Sequence, residues 1–163
     1  MENLVWAIIL WGAVFILIPV KRIKQLLPAA AVTFVWFFTV NYLFIGLGYY
    51  RFTHILISFL DVPLIQAVGG AGGGILLVNW LTPSPLSKLG MLLAASSFFS
   101  LSEYVFRLFG AFLYGHGFSP LISFIHNLAM ISILIWLCLE AVGKENIYNG
   151  PKTRFFSSIY LNK

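Results

Sequence analysis

Apolar residues run along this chain in long stretches, broken by short segments that hold its prolines and most of its charges. About 20 apolar residues in a helix, rising 1.5 Å each, match a hydrocarbon core of about 30 Å. Five such stretches are predicted as membrane-crossing helices, at residues 4–20, 29–49, 53–81, 89–109 and 121–142. The fold class expected is all-α, a polytopic membrane helical bundle of about five transmembrane helices.

The breaks support these boundaries. Pro19 and the basic cluster Lys21-Arg22-Ile23-Lys24 close the first span, with a connection expected to run to Pro28. Tyr49-Tyr50-Arg51 gives the second an aromatic and basic edge of the kind found at headgroup layers. The third is irregular: it holds Asp61, Pro63, which can kink a helix, and the run from Gly69 to Gly74, where each glycine weakens a helix by about 1 kcal/mol relative to alanine. Pro83 and Pro85 make a turn, and Pro120 suits the first turn of the fifth span. Residues 143–163 read as a polar, basic tail outside the bilayer.

Composition agrees with this layout, since 60% of residues are hydrophobic and 9% charged, with a mean hydropathy of +0.94. Soluble domains carry about 25% charged residues. The net charge of +5 would suggest nucleic acid in a soluble protein, but the basic residues stand at span ends and read as topology signals, so no nucleic-acid partner is expected. Of the ten lysines and arginines, Lys21, Arg22, Lys24, Lys88, Lys144, Lys152, Arg154 and Lys163 fall on one side, and Arg51 and Arg107 on the other. That bias predicts an N-terminus outside, a cytoplasmic C-terminus and a place in the cell membrane. Glu2 before the first run and the basic cluster after it reverse the order of a signal peptide, so the run is read as a span. The single cysteine, Cys138, lies in a predicted span and offers no disulfide or zinc spacing.

Two groups of residues are candidates for function. Gly69 with Gly73, and Gly70 with Gly74, form overlapping GxxxG pairs that let a second helix approach closely, within the bundle or between copies. Counting from the outer ends of the spans at 1.5 Å per residue puts Asn41, Asp61, Glu103, His126 and Asn127 at one level, roughly 10 Å deep. Polar groups at such depth face the bundle interior or a wet cavity, so these side chains are expected to meet in a polar pocket. Arg107, four residues after Glu103, is expected to neutralise it and to line the same pocket. Asp61, Glu103 and His126 are acceptable metal ligands by type, but their spacing carries no metal motif, and no cofactor is expected. His54 and His116 fall near the predicted outer surface and are assigned no chemistry.

The basic loop at Lys21-Arg22-Ile23-Lys24, a proline at Pro63, the turn at Pro83 and Pro85, and Ser102-Glu103-Tyr104 followed by Gly110, Tyr114, Gly117 and Ser123 form a recurring layout. In it the chain resembles a family of small, uncharacterised five-helix membrane proteins of spore-forming Gram-positive bacteria. The resemblance implies a fold and a bacterial cell membrane, with no activity to carry over.

Three functions stay open on the sequence. The first is a non-enzymatic membrane component that assembles through helix packing, as a homo-oligomer or with another membrane subunit. The second is a small carrier or channel whose outward-facing polar pocket takes a solute or a lipid headgroup. The third, least favoured, is an intramembrane enzyme acting on lipid, because Ser96, Ser97 and Ser100 read as small packing residues and no nucleophile has a recognisable neighbourhood. Membrane lipids are the expected partners in each.

Overall fold

The computed structural model describes residues 2–154, and these are mostly helical. In chain order they form α1 (Glu2–Leu17), α2 (Val20–Gly46), β1 (Tyr50–Phe52), β2 (Ser58–Phe59), β3 (Val62–Pro63), α3 (Leu64–Asn79), α4 (Pro85–Leu108), β4 (Phe112–Tyr114), α5 (Pro120–Val142) and α6 (Lys144–Tyr148). Three of the helices, α2, α4 and α5, are long and apolar enough to cross a membrane, while α1 and α3 are apolar but shorter.

The boundary between α1 and α2 follows from Pro19, which is extended at φ −59° and ψ 141° and caps α2. The basic cluster then forms the first turn of α2 and not a loop, and the helix runs straight on through Pro28, which corrects the expected start at residue 29. Its buried stripe explains why: Arg22, Ile23, Leu26, Ala29, Ala30 and Thr33 recur at helical spacing on both sides of the proline, so packing outweighs one lost backbone bond.

The irregular third stretch divides. Ser58–Phe59 and Val62–Pro63 pair as a short antiparallel hairpin, turning at Leu60 and Asp61 with φ of 51° and 62°. Only from Leu64 does the chain become helical, with Pro63 as the cap of α3 rather than a kink inside a span. A continuous helix over 53–81 is therefore not formed; the tight turn and the proline end the extended segment first.

α3 lies against both α1 and α2, and its glycines make that possible. A Cβ on Gly69 would stand 2.7 Å from the Trp6 ring and 3.0 Å from the Ala7 Cα, and one on Gly74 would overlap the Thr33 side chain. Gly70 faces Phe37 and Gly73 faces Leu10, so the predicted packing face is used inside the chain. α5 packs on α2 and on α4. α4 is the least covered of the long helices, with only Ser96 and Phe106 buried.

At one end, β1 and β4 pair antiparallel, with Tyr50 opposite Tyr114, and tie the exit of α2 to the connection between α4 and α5. Gly115 passes so close to the Gly48 carbonyl that no Cβ would fit, and its N–H donates to the Tyr49 carbonyl at 2.7 Å. At the other end, the segment after α5 folds back beneath the bundle. Arg22, 1% exposed, donates to the carbonyls of Ile147 at 2.6 Å and Asn149 at 3.1 Å, to that of Asn146, and to Asn79 Oδ1 at 3.2 Å. Asn79 Nδ2 donates in turn to the Lys152 carbonyl at 2.8 Å, and the Arg154 N–H to that of Leu17 at 3.0 Å. Residues 155–163 of the predicted tail lie outside the described residues.

Candidate functional site

A cavity of about 410 Å³ runs between the helices, with walls that are apolar for most of their area. It exists because α4 leans on α5 and leaves a gap towards α1 and α3, where Trp36, Leu77, Trp80, Met91, Ala95 and Leu134 give it apolar walls. An aromatic cluster forms part of its wall, with the Trp6 and Phe99 rings 5.7 Å apart and the Phe37 and Phe99 rings 5.4 Å apart. From Met91 to Glu103 along α4 the lining extends about 18 Å at 1.5 Å per residue.

Polar groups gather at the end nearest the β1–β4 pair. Glu103 is the centre: Tyr114 Oη donates to its Oε2 at 3.0 Å, the Ser123 hydroxyl donates to the same oxygen, and Asn127 Nδ2 donates to Oε1 at 3.0 Å. Burial, and then the charge of Glu103, push the Tyr114 hydroxyl up to about 12, and the same two causes raise that of Tyr50, so both phenols keep their protons and remain donors. Tyr50 Oη donates to Asn41 Oδ1 at 3.1 Å, and Asn41 Nδ2 to the Phe37 carbonyl at 2.7 Å. His126 lies with its ring 4.1 Å from that of Phe44, and its Nε2 is buried without a hydrogen-bond partner among the described residues.

Asn41, Glu103, His126 and Asn127, from three helices, therefore line the same cavity. Asp61 does not join them. It is exposed in the β2–β3 turn, because the chain around it is a hairpin and not a span, and with it goes the acid–histidine set considered for a metal. Arg107 does not pair with Glu103 either: among the described residues no ion pair joins them, and the exposed guanidinium sits over the Tyr114 ring at 4.6 Å from its centroid. The carboxylate finds its donors on β4 and α5 instead.

Sequence reasoning missed the partners that complete the site. Tyr50 reads as an interfacial tyrosine, and Ser123 only as part of the layout shared with the resembling family, yet both act on the polar end. Helical spacing could have placed Ser123 and Asn127 on one face, since they are four apart on α5. Tyr114 likewise enters the sequence reading only through that layout, with no role attached, and it is β4, paired with β1, that carries it to Glu103. Trp6 and Gln66 also line the cavity, and Trp6 Nε1 and Gln66 Oε1 are buried without partners among the described residues. No family model, no curated protein and no solved structure matches the chain.

Proposed function

We propose that the chain is an integral protein of the cell membrane, crossing it with α1 to α5, and that its cavity binds the hydrocarbon chain of a lipid or other amphiphile. The N-terminus is outside and the C-terminus cytoplasmic, as the placing of lysine and arginine favours. Outward-facing residues support a lipid surround: Ile8, Val35, Leu101 and Trp136 are each about 60% exposed, on four different helices, where water would find no polar surface.

The observation that carries the binding reading is the chemistry of the cavity, apolar along its length and polar at one end. An 18 Å lining is close to one leaflet's share of a hydrocarbon core about 30 Å thick, so a single lipid chain is the natural occupant. Assembly through the glycine face loses support, because α1 and α2 already cover those glycines. Binding, with no chemical step, is the function proposed.

Native mass spectra of the protein released from lipid nanodiscs test this. The parent is expected to retain one amphiphile per chain, and Ala95→Phe, which puts a ring into the cavity, to lower that retention about tenfold, equivalent to about 1.4 kcal/mol. Equal retention by Ala95→Phe and the parent, or none by either, would sink the proposal.

A further inference from the structure

The polar end of the cavity specifies a charge. Glu103 brings a carboxylate whose three protein donors are all neutral, and among the described residues no cation lies within ion-pair distance of it. Four lone-pair positions are available to a carboxylate, and three are taken, so one remains for a ligand. Arg107, the cation nearest in sequence, is held on the exposed side over the Tyr114 ring.

Aromatic rings stand around the same end. Tyr50, Phe52, Phe106 and Phe112 all line the cavity, with Tyr50 and Phe112 rings 5.2 Å apart and Phe52 and Phe112 rings 5.1 Å apart. Ring faces carry negative charge density and attract cations, above all alkylated ammonium groups. An anionic headgroup would meet repulsion from both the carboxylate and the rings. A neutral one would leave a half-buried carboxylate facing an apolar cavity without a counterion.

We propose that the amphiphile bound here carries a cationic ammonium headgroup, held by the Glu103 carboxylate and by the faces of Tyr50, Phe52, Phe106 and Phe112, an assignment that rests on the amphiphile-binding reading above. The unpartnered His126 Nε2 offers a further acceptor to an N–H when the ring is neutral with its proton on Nδ1. The ammonium group has two sources, a bilayer lipid such as phosphatidylethanolamine or a free hydrophobic cation.

The test uses the full chain in phosphatidylglycerol nanodiscs, offered tetradecyltrimethylammonium or tetradecyl sulfate, two probes with the same chain and opposite charge. Native mass spectra are expected to show the ammonium probe retained at least about tenfold over the sulfate, the scale of a contact to a charged group. Glu103→Gln is expected to bring the two near parity, while Phe106→Leu, which keeps the carboxylate and removes one ring, lowers the preference about threefold. With phosphatidylethanolamine added to the nanodiscs as a minor lipid, its retention over phosphatidylglycerol would identify a bilayer headgroup, whereas retention of the soluble cation alone would identify a hydrophobic cation; either supports the proposal. Equal retention of both probes by the parent overturns the ammonium assignment and leaves chain binding standing. If no amphiphile is retained, or Ala95→Phe retains as much as the parent, the cavity reading itself fails.

Discussion

Thr33 occupies the space a side chain at position 74 would need, so α2 and α3 are as close as their backbones allow at that level. Gly74→Leu must push the two helices apart, at about 1–3 kcal/mol or more. A lower midpoint of thermal unfolding in detergent is the expected result. Gly73→Ala should change it little, because its Cβ would meet Leu10 at an ordinary 3.5 Å. Equal effects from the two substitutions would contradict this account. The GxxxG spacing made close approach legible in the sequence, but not the partners Trp6, Phe37 and Thr33, which depend on how α3 is rotated. Glu103 teaches the same lesson. That it would meet Asn127 was legible, whereas the expected bond to Arg107 assumed that neighbours on one helix face must pair. In fact donors from β4 and α5 reach the carboxylate, and the guanidinium turns outward.

Among the elements, α4 and α5 were readable within a few residues, because proline and serine mark their starts and an unbroken apolar run gives their length. α2 and α3 were not, each for a reason of proline chemistry. Pro28 suggested a boundary that the buried stripe overrides, and Pro63 suggested a kink where it instead caps a helix. The two-residue and three-residue strands leave no periodic signal at all. The fold-back after α5 was also hidden, since polar composition says only that residues avoid lipid. Arg22 holds that segment through backbone carbonyls, and Arg22→Met would strand them without donors, at about 1–3 kcal/mol for each buried group. Faster hydrogen exchange at the amides of Ile147 and Asn149, and faster trypsin cleavage after Lys144, are the expected readouts. Unchanged exchange would mean that other contacts carry the docking.

For the whole molecule, the arrangement of ends makes a topological prediction. The C-terminal ends of α1 and α3 are joined to the fold-back by Leu17 and Asn79, and Lys88 at the start of α4 lies over the Tyr148 ring, so all of these share one side. The β2–β3 turn leads into the opposite end of α3. With Cys138 replaced by serine, Asp61→Cys is expected to react with an impermeant maleimide added to intact cells, and Lys88→Cys only after permeabilisation. Reaction of both from outside would mean that α3 does not cross, leaving α1, α2, α4 and α5 as the spans.

Arg22 has a consequence in the time order of synthesis. It emerges early, in the first turn of α2, but the carbonyls of Asn146, Ile147 and Asn149 exist only after α5 has been made. Until then its guanidinium has only Gln25, Asn79 once α3 is made, water and lipid phosphates to bind. The Arg22 end of the bundle therefore closes last, and a chain interrupted before α6 is left with a charged, unsealed face that a protease can find.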